Sequence, residues 1–151
     1  MSREVRMVPK GFQHPKNTDG RFIPLYGGHY ETAAADWVGG RILWAKGLDP
    51  IQKKEWCTDK YYWEYGGMPP REEDYMPMFD SDPTHFMMYE TCSEGTPISP
   101  GFDNIDDLAR WLADTGASSF GSRTATYEQW LETCKEGYAI GAVYTPKTGF
   151  I

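Results

Sequence analysis

Apolar positions recur at helical spacing in three stretches of the chain and alternate in two. Across residues 31–48, Ala33, Trp37, Gly40, Trp44 and Leu48 follow at steps of four, three, four and four, which is one helix face. Gly47 and Pro50 supply the stop. Gly39-Gly40 falls mid-helix, where each Gly costs about 1 kcal/mol against Ala, so either the helix breaks there or another backbone packs close. In the second helix Asn104 is the N-cap, Asp106 and Asp107 occupy the electropositive first turn, and Ile105, Leu108, Ala109 and Leu112 form the inner stripe. Trp111 lies at its margin and Gly116 ends it. Thr126 and Gln129 make a capping box that opens a third helix, with Tyr127, Trp130, Leu131 and Cys134 inward and Gly137 as its stop. Alternation marks a strand over 84–90, with Phe86 and Met88 on one face and Met87 and Tyr89 on the other. A second strand, over 138–144, sets Tyr138, Ile140, Ala142 and Tyr144 against Ala139, Gly141 and Val143, and is expected to pair with the first. These elements predict an α+β fold, a small antiparallel sheet packed with about three helices.

The remaining stretches lack periodicity. Residues 1–29 read as an extended N-terminal arm, because Pro9, Pro15 and Pro24 deny helix and Asn17 to Gly20 is a turn signal. Phe12, Phe22, Ile23 and Leu25 are expected to pin that arm onto the body. Residues 51–83 form a long irregular region, with a short strand or helix near Glu55–Tyr65 and then Gly66-Gly67, Pro69-Pro70 and Pro77. Its rings, Tyr61, Tyr62, Trp63, Tyr65, Tyr75 and Phe79, favour packing over disorder. Residues 1–151 fit one domain of ordinary size. Aliphatic residues are scarce, so six Trp, ten Tyr and seven Phe predict an aromatic-rich core.

Charge changes the picture next. The net charge is −7, yet residues 71–114 alone hold eleven Asp/Glu against two Lys/Arg, while residues 1–30 are net +3. Such an acidic block repels duplex phosphates, so no duplex DNA binding is expected, and it suits a partner protein with a basic surface. The plain alternative is a solvated face that keeps the chain soluble. Trp56, Tyr61, Tyr62, Trp63 and Tyr65, with Lys53, Lys54 and Lys60 beside them, make stacking on single-stranded nucleic acid conceivable; core packing is preferred because few aliphatics are present to fill the interior. Cys57, Cys92 and Cys134 are widely spaced without a CxxC, which predicts free thiols in a reducing compartment. The first twenty residues are polar and Pro-broken, and no apolar run approaches the ~20 residues a membrane span needs. A cytoplasmic protein, with neither cofactor nor metal, is the expectation.

The string HFMMYETCSEGTPISP, followed by DDLARWLADTGASSFGSRTATYEQWL, resembles the C-terminal signature of a family of short hypothetical proteins of tailed bacteriophages and prophages. VPKGFQHPKNTDGRFIPLYGG and WEYGGMPPREEDYMP are similar to the N-terminal half of that family. Some such proteins carry a Cys-pair, zinc-ribbon-like segment upstream; this chain has only Cys57 there, so no metal is carried over. The resemblance implies a phage origin and no particular activity.

Chemistry-bearing residues gather in two places. The loop Glu90-Thr91-Cys92-Ser93-Glu94-Gly95-Thr96-Pro97 sets carboxylates, hydroxyls and a thiol between a strand and a helix. Its backbone N–H groups with Ser93 and Thr96 suit an anion, although Glu90 and Glu94 oppose one; turn hydroxyls that satisfy the backbone are the plainer reading. Cys92 with His85 as base is a possible nucleophile pair, but on a straight strand the two point to opposite faces. Glu72, Glu73 and Asp74, with Asp80 and Asp82, lack EF-hand spacing and read as a solvated acidic loop. Candidate binding residues are therefore Tyr89, Glu90, Ser93, Glu94, Thr96, Glu72, Glu73 and Asp74, with no catalytic residue assigned. No P-loop, GxGxxG, GxSxG or HExxH is present. The expected function is non-enzymatic stoichiometric binding of a host protein, for example as an inhibitor of a defence system. Small-molecule or nucleotide binding at the 90–96 loop, with weak hydrolysis, and a minor place in the virion are the alternatives.

Overall fold

The computed structural model describes residues 2–92, 94–140, 144–145 and 149–150. In chain order the elements are β1 (Ser2–Val8), α1 (Tyr30–Ala45), α2 (Tyr62–Gly66), β2 (His85–Glu90), β3 (Thr96–Pro97), α3 (Ile105–Asp114), α4 (Tyr127–Glu136), β4 (Tyr138–Ile140), β5 (Tyr144–Thr145) and β6 (Gly149–Phe150). The chain falls into two compact units. Residues 1–25 and 78–151 form a sheet unit, and residues 26–77 form a helical unit. The fold is α+β, with a four-stranded antiparallel sheet, four helices and several clusters of aromatic rings.

In the sheet unit the strand order is β3-β2-β1-β4, and β5 pairs separately with β6. Residues 2–8, the start of the arm expected to be extended, form an interior strand with Val5 opposite Met88 and Met7 opposite Phe86. Consequently the strand at Tyr138–Ile140 pairs with β1 and not, as expected, with the 84–90 strand, whose two edges β1 and β3 already occupy. Residues 141–143 of the longer strand expected there lie outside the described residues.

The period of two in β2 explains why both sheet faces are covered. Val5, Phe86 and Met88 share one face and meet α3 and α4, where Leu108, Ala109, Leu112, Trp130 and Cys134 complete the core. The helices form as their signals predict: the Asn104 side chain accepts from Asp107 N, and Thr126 and Gln129 close a reciprocal capping box. Gly137 takes a left-handed φ of 89° and ends α4. Met87 and Tyr89 point to the other face, which residues 12–25 cover through Phe12, His14, Phe22 and Leu25.

The helical unit is built differently. Helix α1 runs unbroken through Gly39-Gly40, and the close neighbour at Gly40 is a ring rather than a backbone. A Cβ on Gly40 would strike the Tyr62 hydroxyl, and one on Gly66 would stand 2.6 Å from Tyr62 Cζ. Tyr62 is thus seated between two glycines, and its hydroxyl donates to the Trp37 carbonyl at 3.1 Å. Trp37 Nε1 donates in turn to the Gly67 carbonyl at 3.0 Å. From Trp37 a line of ring contacts runs through Tyr62, Trp44 and Tyr65 to Trp56, with centroids 5.3–6.5 Å apart. Between the helices lie 3-10 turns at Pro50–Lys53 and Glu55–Cys57, so the stretch expected as a short strand or helix near Glu55–Tyr65 is helical, in two short pieces. Cys57 is the one residue of this unit that is fully buried.

Candidate functional site

The 90–97 loop follows β2 and turns back into β3, where Thr96 lies opposite Glu90. Its shape is set from inside by Arg6 of β1. That guanidinium is buried; its Nε donates to Glu4 Oε2 at 2.8 Å, and its Nη groups donate to the carbonyls of Leu25 at 2.8 Å and Glu94 at 3.1 Å. It also lies 4.2 Å from the centroid of the Tyr89 ring. Glu94 adopts a φ of +76°, which is uncommon for a residue with a Cβ. Gly95 follows at +140°, and a Cβ there would strike Arg6 and come within 2.6 Å of the Leu25 carbonyl oxygen. The loop is therefore a turn whose backbone folds tightly over a buried cation.

Beneath the loop, Tyr89 is fully buried, with its hydroxyl 2.8 Å from His14 Nδ1. His14 Nε2 is 2.7 Å from the Ile23 carbonyl, which only accepts; Nε2 therefore carries the proton and Tyr89 donates to Nδ1. Burial pushes the His14 pKa down, with the Arg6 charge adding to the effect and the bond to Ile23 opposing it. Burial also raises the Tyr89 phenol. Tyr89 thus serves the interior and presents no surface to a partner.

The proposed nucleophile is held as a thiol. Cys92 Sγ donates to Glu90 Oε1, and that bond, with burial and the Glu90 charge, raises its pKa. His85 begins the strand that Cys92 follows, so at about 3.3 Å per residue the two stand roughly 20 Å apart. His85 Nδ1 instead meets Thr84 Oγ1 at 2.9 Å. Glu94 is exposed on the loop, while Ser93 lies outside the described residues.

Glu72, Glu73 and Asp74 belong to the helical unit and form a 3-10 turn. Arg71 contacts Asp74 through two bonds of 3.1 Å and Glu73 through a third of 3.1 Å, so much of that acidity is balanced locally. The chain boundary at residue 77 divides the acidic block and assigns 78–114 to the sheet unit. There Asp80, Asp82, Asp103, Asp106, Asp107 and Asp114 are exposed and make no ion pair among the described residues. Among the described residues no three His, Cys, Asp or Glu side chains are grouped to hold a metal ion, and no helix is long and apolar enough to cross a membrane.

Sequence reasoning missed the residues that organise this region. Arg3 and Arg6 are buried on a central strand, Arg3 through bonds to the Ser118 carbonyl at 2.9 Å and the Ser118 hydroxyl at 3.2 Å. Their spacing in SREVRMV resembles a solvated segment, and only the run Val5 to Val8 hinted at a strand. A cleft of about 480 Å³ opens beside His14, lined by Val8, Phe12, Phe22, Met87, Ile98 and Trp111 among others. No family model, curated protein or solved structure matches the chain.

Proposed function

We propose that the chain is a phage-encoded accessory protein that acts by stoichiometric binding, presenting the carboxylates of residues 80–114 to a basic surface on a host protein, such as a component of a defence system. The observation that carries this reading is the set of six exposed aspartates, Asp80, Asp82, Asp103, Asp106, Asp107 and Asp114, with no ion pair among the described residues. Arg110, the one Lys or Arg in residues 78–114, is stacked 3.8 Å from the Tyr127 ring centroid and makes no ion pair among the described residues. Unbalanced surface charge raises association rates and selects an opposite partner. The Cys92 thiol bonded to Glu90 speaks against catalysis at the loop.

Capture from host lysate tests this, comparing the native chain with one in which Asp80, Asp82, Asp103 and Asp114 are all changed to Asn. A partner held by the native chain, released by salt and lost with the variant is the expected result. Equal capture by both, or none above background at micromolar protein, overturns it. The cleft beside His14 favours a second reading, small-molecule binding, since its size suits such a ligand. Thermal-shift screening separates the two, because a ligand of the native state raises Tm.

A further inference from the structure

The rings of residues 56–65 do not fill a core. Trp56 is 60% exposed, Tyr61 69%, Trp63 59% and Tyr65 45%. Only Tyr62 of that group is tucked in, on Gly40 and Gly66. Tyr61 and Trp63 lie parallel within 8° at a centroid distance of 6.4 Å, and with Trp37, Tyr62, Met68 and Arg41 they line an open apolar cleft of about 620 Å³. Hydrogen bonds inside the unit occupy the Trp37 N–H and the Tyr62 hydroxyl, whereas the Trp63 N–H makes none among the described residues. Flat rings open to water at this density cost free energy unless something stacks on them.

The charge around those rings narrows what that is. Arg41, Lys46, Lys53, Lys54 and Lys60 are all exposed, and none makes an ion pair or side-chain hydrogen bond among the described residues. Against them residues 41–65, the stretch that contains the rings, hold Asp49, Glu55, Asp59 and Glu64, so it is net +1 in a chain of −7, and Glu64 is engaged as the acceptor of the Tyr61 N–H. The Asp49 carboxylate is engaged as a cap on Ile51 N. Exposed rings that tolerate any planar face, set among unpaired cations, are the chemistry that recognises unpaired bases on a phosphate backbone. Duplex DNA hides its base faces and would offer these rings nothing.

We propose that the helical unit binds single-stranded nucleic acid, bases stacking on Tyr61, Trp63 and the Trp56–Tyr65 edge while Arg41, Lys53, Lys54 and Lys60 neutralise phosphates. These residues are different from the acidic residues 80–114 of the first proposal, so either proposal stands if the other fails. Anisotropy of a fluorescein-labelled oligothymidylate, titrated with the full-length protein at 50 mM and 200 mM salt, tests it. Expected are saturable binding that weakens steeply with salt, loss of about 5- to 100-fold with Trp63→Ala or Tyr61→Ala, and a shallower salt slope when Lys53, Lys54 and Lys60 become Gln. Thymidine monophosphate should compete weakly and a blunt duplex not at all. Both ring variants sit at exposed positions, and circular dichroism confirms that they fold. No binding at 50 mM salt with protein at tens of micromolar overturns the proposal, as does binding that the ring variants leave unchanged. A native dimer that Trp63→Ala dissociates assigns the rings to a second copy instead and overturns it equally.

Discussion

Within the sheet unit Met88, Leu108, Leu112 and Trp130 lose all contact with water, whereas the helical unit leaves Trp56, Tyr61, Trp63 and Met68 largely exposed and buries Cys57 alone. One unit is held by shared apolar burial, the other by rings laid against rings and by bonds from Trp37 and Tyr62 to backbone carbonyls. Burial is worth about 25 cal/mol per Å² of apolar surface, so the sheet unit commands most of the folding free energy. The helical unit keeps its apolar area available for something else. Charge is grouped within the units more than between them: exposed carboxylates without an ion pair recur over residues 80–114 of the sheet unit, and exposed cations without one over residues 41–60 of the helical unit, although residues 26–77 as a whole hold nine Asp/Glu against six Lys/Arg.

The contrast breaks most visibly in the core. Leu112→Ala should cost about 2–5 kcal/mol, while Trp63→Ala should stay within roughly 0.5 kcal/mol of the native chain; urea unfolding followed by circular dichroism measures both. Similar losses from the two would mean that the rings are structural after all. A sharper test lies within α1. Gly40→Ala forces the Tyr62 ring off its seat and should cost about 1–3 kcal/mol, as overpacking does. Gly39→Ala, with nothing near its Cβ, should gain up to about 1 kcal/mol. Thermal melts that rank these adjacent alanines alike would dismiss the seat.

The smallest effect is electrostatic and belongs to the sheet unit. Burial lowers the His14 pKa, so the unfolded chain, whose histidine titrates near ~6.5, binds that proton more readily. The stability contributed by neutral His14 is present above that pH and is lost as pH falls through the lowered folded value. Comparing Tm at pH 7.5 and pH 5.5, the native chain should lose more than His14→Gln does; equal losses would trace the effect to other groups.

Helices α3 and α4 were legible because their signals are local: Asn104 and Thr126 cap, Gly137 stops, and Leu108, Leu112 and Trp130 mark the inward stripe within a few turns. β2 was legible by its alternation. β1 was not, since what makes Arg3 and Arg6 interior residues lies far along the chain, at Ser118 and Glu94. The 90–97 loop was visible as polar, but its backbone folds over a buried guanidinium that no local pattern announces. Scarce aliphatics suggested that the rings near residue 60 fill a core; the short α2 and its glycines instead hold one ring in and leave its neighbours out.

The interior position of β1 sets an order of events during synthesis. Ser2–Val8 leave the ribosome well before the strands on either side of them, β2 and β4, which emerge only after the whole of residues 26–77. A nascent chain therefore carries two arginines that still lack the Ser118 and Glu94 carbonyls, while the intervening segment, contiguous in sequence, is free to close on itself beforehand.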